Sequence, residues 1–424
     1  MTTTEPTPAI RTPVQRAAMP LAVLTGLFVV AVTMRGPFVA VAPAIGEIQR
    51  DLDIGSGTAG LLTSIPVICF GLATPLVLVL TRRSGINASV YIALAIMAAG
   101  ILLRSAGGLT AALTGTLVLG FGITIGNIVI PAIIGRDFPG RTTQVTGYYT
   151  AAINIGALSA TSLGAPLTDR LTWRGALAVW VLIVLIAAVA WAFAVPHTQE
   201  RLVRNPPAQE TDTTPLWRRK LVVGMVLAFA GQSFSYYGIT AWLPTLLSDE
   251  QGLTAAQAGG SSAFFQALAL VAAFGVPFLI NRGVSGRAAL LLVCACWISL
   301  PLGLAFAPSL WVLWSCLGGF AQGGGFTVIF SVVVARAVST DDARRMSAAV
   351  QGIGYVLGAL GPMMVGAVHS ATGTWNVPIL VIAGMIVLMA AGGSAAIGSR
   401  TSDTLSGRRT PWKSGTRTTD RRGR

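Results

Sequence analysis

Residues 19–45 read MPLAVLTGLFVVAVTMRGPFVAVAPAI, an apolar run long enough to cross a bilayer and broken near its middle by one charge, Arg35. At about 1.5 Å of helical rise per residue, Arg35 lies roughly 24 Å from Met19 and about 15 Å from Ile45, too far for its side chain to reach water past lipid. An arginine at that depth costs about 2.5–3.5 kcal/mol on insertion scales, so it faces a protein interior or a cavity. The adjoining Gly36-Pro37 loosens the backbone hydrogen bonding beside the charge. These features predict an anion-binding point on a solute path, with Arg35 the only charged residue clearly inside a span.

The rest of the chain repeats the apolar pattern. Of 424 residues, 53% are hydrophobic and 10% charged, and the mean hydropathy of +0.72 is too high for a soluble protein of this size. Twelve apolar runs follow one another: 19–45, 57–81, 87–107, 109–135, 142–168, 174–196, 219–247, 254–281, 286–306, 309–336, 346–370 and 375–398. Continuous runs of this length exclude the alternating ten-residue strands of a membrane barrel and predict an all-α polytopic membrane protein with twelve transmembrane helices. The net charge of +14 sits in loops and tails, where it signals topology and not nucleic-acid binding. Cys69, Cys294, Cys296 and Cys316 lie in apolar runs and read as buried hydrophobes.

Counting Lys and Arg on alternate loops gives 24 against 4, Arg35 aside, with Arg50, Arg104, Arg170 and Arg174 on the poorer side. That bias places both termini in the cytoplasm of a cell whose cytoplasmic membrane holds the protein. The expected organisation is an N-terminal tail (1–18), a six-helix bundle (19–196), a Pro-containing cytoplasmic linker (197–218), a second six-helix bundle (219–399) and a basic tail (400–424) expected to be disordered and drawn to membrane lipid. The halves resemble each other. At an offset of 202, Gly156-Ala157-Leu158 recurs as Gly358-Ala359-Leu360, Gly164-Ala165 as Gly366-Ala367, and Thr172-Trp173 as Thr374-Trp375. An even number of helices per half gives both repeats the same orientation, as in two pseudo-symmetric bundles related by an axis along the membrane normal.

Polar residues near span centres are the candidates for lining a solute site. They are Arg35, Asn127, Asn154, Gln232, Tyr236, Tyr237, Gln266, Gln322 and Tyr355, with Ser233 and Gln351 beside them. Each neutral one has a second reading as a hydrogen bond between helices. No Asp or Glu lies at mid-span, so one fixed positive charge stands among neutral donors and aromatics, a set that favours a small anion or planar polar solute. Gly354, Gly358, Gly361 and Gly366 in one run, and Gly147, Gly156 and Gly164 in another, predict close helix approach. His369 reads as an interfacial residue. No paired acids, Cys–His set or metal cluster suggests an enzyme, a metal or a cofactor.

The motifs carry a family resemblance. Thr33-Met34-Arg35-Gly36-Pro37 with Pro43, Ala59-Gly60-Leu61-Leu62-Thr63-Ser64-Ile65-Pro66, Gly126-Asn127-Ile128-Val129-Ile130-Pro131 followed by Arg136-Asp137-Phe138-Pro139-Gly140-Arg141, Gly147-Tyr148-Tyr149, and Gln232-Ser233 with Tyr236-Tyr237 and Ala241-Trp242-Leu243-Pro244 resemble the cyanate permease and 2-nitroimidazole transporter family of the major facilitator superfamily. Between the second and third runs, Thr81-Arg82-Arg83-Ser84-Gly85 lacks the acid of the broad superfamily's signature. The resemblance implies a monomeric secondary carrier of small anionic or polar compounds that alternates access by rocking its halves. Proton-coupled efflux of drugs or metabolites is the rival expectation, in which a proton joins the small-molecule substrate as a partner.

Overall fold

The computed structural model describes residues 13–138, 141–194, 215–337 and 339–398. Most of the N-terminal tail, all but the end of the 197–218 linker, and the 400–424 tail lie outside the described residues. Every described element is helical, and each of the twelve apolar runs has a helical counterpart. Eight stretches are long and apolar enough to cross a membrane as they stand, and two further helix pairs, bent by 63° and 44°, raise the count to ten among the described residues. The second of those pairs covers the fifth and sixth runs, and its first helix contains a non-helical residue, Thr172, at φ 58° and ψ 168°.

The first run folds as three helices: α1 (Pro13–Thr33), α2 (Gly36–Val39) and α3 (Val41–Leu52). Arg35 stands at the first break, with Pro37 in the opening turn of α2, where a residue lacking an N–H costs no hydrogen bond. Close packing holds the break in place. A Cβ on Gly36 would overlap the ring of buried Trp180, and one on Gly156 would strike the carbonyl of Val32. A second arginine also acts here. Arg104, at the end of α6 (Ile86–Ser105), is 1% exposed and donates from Nη1 to the carbonyl of Pro37 at 2.9 Å. Arg35 is expected to be the only charged residue clearly inside a span, and the buried Arg104 at the end of α6 corrects that expectation. Arg104 resembles a loop residue in sequence, but its side chain folds inward onto the backbone of α2 beside the break at Arg35.

The duplication reappears as a repeated contact. Trp173, in α8 (Thr142–Ala178), donates its indole N–H to Asp51 at 3.1 Å, and Trp375 donates to Asp249 at 2.9 Å. Asp51 lies in α3, and Asp249 lies near the end of α10 (Lys220–Gln251), so the same lock closes one end of each half. Arg174 completes the first lock by pairing with Asp51 at 2.6 Å, while His369 stacks on Trp375 with ring centroids 4.0 Å apart in the second.

The halves meet along two seams. α4 (Ser56–Leu72) packs against α14 (Thr340–Gly358) and α15 (Leu360–Thr372), and α8 packs against α11 (Ala255–Asn281). Small residues make the first seam tight, since a Cβ on Gly60 would come within 2.5 Å of the Pro362 carbonyl. One hydrogen bond crosses it, from the backbone N–H of Ser56 to Ser370 Oγ at 3.2 Å.

Both tryptophan locks are hydrogen bonds to a carboxylate, a class that contributes about 1.5–3 kcal/mol. Trp173→Phe and Trp375→Phe should each lower the thermal unfolding temperature in detergent by a comparable amount. An unchanged midpoint in either variant would remove that lock from the account.

Candidate functional site

The site grows from the break in the first span. Freed from a regular helix, Arg35 extends toward α10 and donates from Nη1 to the hydroxyl of Tyr236 at 3.1 Å. Its guanidinium carbon lies 5.3 Å from the centre of the Tyr236 ring and 5.8 Å from that of Tyr237, within cation–π range. The arginine is half-buried, so part of it still faces open space. Tyr149, Tyr236, Tyr237 and Tyr355 all lie within electrostatic reach of the charge, and the chain has only six tyrosines. No carboxylate is among the groups that act on it.

Aromatic rings from both halves surround the pair. Phe38 meets Tyr237 at 5.8 Å between centroids, Phe70 meets Tyr355 at 5.5 Å, and Tyr236 meets both Tyr237 at 4.9 Å and Phe326 at 5.7 Å, all edge-on. Phe38 belongs to α2 and Phe70 to α4, while Tyr355 belongs to α14 and Phe326 to α13 (Trp311–Arg336). Edge-on contacts turn the positive rims of some rings toward the negative faces of others, which fixes orientation as well as burying area. The wall is therefore apolar, rigid and edged with hydroxyls. The Tyr237 hydroxyl is buried and has no hydrogen-bond partner among the described residues that meets distance and angle criteria.

The other candidates fall into two groups. Asn127 accepts a long hydrogen bond from Tyr149 at 3.5 Å, which ties it to the arginine cluster. Asn154 is half-buried and donates to the Thr150 carbonyl of its own helix at 2.8 Å. Gln232, Gln266 and Gln322 form a cluster of their own. Gln322 donates to Gln266 Oε1 at 3.0 Å, and Gln232 donates to the Gln322 carbonyl at 2.9 Å. All three are almost fully buried. They join α10, α11 and α13 one turn behind Tyr236 and Phe326, so the structure does not bring them to Arg35.

Tyr149, Phe38, Phe70, Phe326 and Arg104 are missing from the sequence candidates. In apolar spans an aromatic residue carries no mark that separates a cavity wall from a lipid-facing or core position. The one available signal is the adjacency of Gly147, Tyr148 and Tyr149, since a glycine permits close approach.

A family model described as Major Facilitator Superfamily matches residues 23–362. The chain belongs to the major facilitator superfamily. Within it, the chain is 30% identical to the 2-nitroimidazole transporter of Escherichia coli (strain K12), over 89% of this chain and 95% of that protein. It is 27% identical to the cyanate transport protein CynX of the same organism, over 85% and 94% of the two chains. Among solved structures, the nucleoside transporter NupG superposes with a TM-score of 0.74 at 14% identity, covering 88% of this chain and 99% of that one. A D-xylose–proton symporter gives 0.69 at 14% identity over 88% and 97%. This member of the superfamily is thus a multi-pass membrane transporter of small molecules and not an enzyme, with the all-helical architecture read from its sequence.

Tyr236→Phe keeps the ring but removes the oxygen that accepts from Arg35, at a cost of about 1.5–3 kcal/mol. Thermal unfolding of the ligand-free protein should drop more for Tyr236→Phe than for Tyr237→Phe. The reverse order would mean that the hydrogen bond is made by the other tyrosine.

Proposed function

We propose that this transporter carries a small anionic or polar solute, of cyanate-like, nitroimidazole-like or small carboxylate type, bound against Arg35. The observation that carries this reading is a guanidinium at membrane depth whose neighbours are phenols and phenyl rings and not an acid. A solute with a negative or strongly polar edge supplies the missing partner, and its flat face suits the edge-on rings around it. The relatives named for 2-nitroimidazole and cyanate support the same chemistry, since both names denote small solutes. Tyr236, Tyr237, Tyr355, Asn127 and Asn154 are the next residues of the path. Gln232, Gln266 and Gln322 support it from behind by fixing the helices that carry the tyrosines.

The mechanism we infer is alternating access by a rocker switch. The bundles 19–196 and 219–399 pivot as units joined by the 197–218 segment, in a monomer lying in the cytoplasmic membrane with both termini inside. The seam between α4 and α15 is the element that parts. Its contacts include the close-packed Gly57 and Gly60 and one neutral hydrogen bond from Ser56 to Ser370. Proton-coupled efflux calls for a titrating group at the site, and no carboxylate is among the groups acting on Arg35.

Two experiments test the reading. Arg35→Ala and Arg35→Lys should both reach the membrane and both lose uptake of the transported solute in proteoliposomes, Lys because it keeps the charge but not the planar fork. Full activity in Arg35→Ala would discard the site. Separately, Ser56→Cys with Ser370→Cys, in a background lacking the four natural cysteines, should form a disulfide under mild oxidation that stops transport until it is reduced. Undiminished flux through the crosslinked protein would show that this seam stays closed throughout the cycle.

A further inference from the structure

Among the described residues, a cavity far from the Arg35 cluster has no role in transport. A cleft of about 330 Å³ opens between the first turns of α10 and the end of α16 (Asn376–Gly398). Its rim is Trp217, Arg218 and Lys220, and its apolar floor and walls are the buried Gly224 and Gly392, the half-buried Leu227 and the exposed Val223 and Ala395.

The rim is charged in an unusual way. Three consecutive cations, Arg218, Arg219 and Lys220, lead into α10, and its first turn contains no acid. Cations at a helix N-terminus oppose the helix dipole, so the sequence breaks a local rule at this point. Arg219 is accounted for, since it turns inward and pairs with the buried Asp342 at 2.7 Å. The side chains of Arg218 and Lys220 are exposed on the rim and have no hydrogen-bond or ion-pair partner among the described residues. Trp217 is 76% exposed beside them, the position of an aromatic anchor at a membrane–water boundary. A free anion would use the rim and leave the apolar floor empty. A hydrocarbon chain would use the floor and leave two cations uncompensated.

We propose that this cleft binds an anionic phospholipid, with its phosphate between Arg218 and Lys220 and an acyl chain along Val223, Leu227 and Ala395. Charge complementarity selects the headgroup, and the continuity of basic rim with apolar floor selects a lipid over a soluble phosphate. The site is on the outer face of α10, the helix that carries Tyr236 and Tyr237 in its interior, and it is separate from the Arg35 cluster in both location and ligand.

The test uses the full-length protein, purified in detergent and stripped of lipid, with cardiolipin, phosphatidylglycerol, phosphatidylcholine and glycerol phosphate as probes. Binding is read by native mass spectrometry and by thermal unfolding. Cardiolipin and phosphatidylglycerol should bind and raise the unfolding temperature, and the other two should not. Arg218→Gln with Lys220→Gln should weaken that binding about thirty-fold, the value expected for two lost surface charges at about 1 kcal/mol each. Ala395→Phe, which fills the cleft without altering charge, should weaken it as well, while Arg82→Gln with Arg83→Gln, removing a basic pair elsewhere, should leave it unchanged. The proposal fails if phosphatidylcholine or glycerol phosphate binds as well as the anionic lipids, if Ala395→Phe binds normally, or if the Arg82/Arg83 variant loses binding equally.

Discussion

A guanidinium set in the first span, on which no carboxylate acts among the described residues, is the constraint around which the neighbouring helices are arranged. Arg35 cannot lose its charge and cannot reach the bilayer surface, so the protein must surround it with groups that are polar enough to hold it and apolar enough to pack. Phenols meet both demands, each offering a hydroxyl to accept a hydrogen bond and a ring face to receive a cation. Four of the six tyrosines act on this one side chain. The broken first span, the glycines that seat it against Trp180 and α8, and the inward-folded Arg104 all serve to place it.

The internal duplication accounts for the position of two of those phenols, Tyr236 and Tyr237. At the repeat offset of 202, the position equivalent to Arg35 is Tyr237, and the residue that accepts its hydrogen bond, Tyr236, lies 201 positions on. Bundles related by an axis along the membrane normal bring equivalent points of their first helices face to face. One copy has kept a cation and the other phenols, so a symmetric scaffold yields an asymmetric site. The tryptophan–aspartate locks show the opposite outcome, in which both copies retain the same contact because its task is to hold an end of the bundle together.

Much of this is legible in the sequence, and the gaps have physical causes. Apolar length fixes the helical architecture, because lipid forces every backbone group to bond within its own span. Arg35 stands out because a charge in a long apolar run has few bland explanations. Arg104 does not, since it lies at the end of a run where arginines ordinarily snorkel to the interface, and only tertiary packing turns its side chain inward. The three central glutamines stand out in the sequence as candidates for lining a solute site, but their actual partners depend on how α10, α11 and α13 cross. Phe38, Phe70 and Phe326 are invisible for the same reason, as hydropathy does not separate a residue facing lipid from one facing a cavity.

The central claim is that a travelling solute, not a fixed acid, completes the coordination of Arg35. Its most direct measure is ligand-induced thermal stabilisation of purified protein by a panel of small anions, nitroaromatics and carboxylates, run on the natural chain and on Arg35→Gln in parallel. The account predicts saturable stabilisation by one or more of these in the natural chain and its loss in the variant. Equal stabilisation of both proteins by every active compound would contradict it.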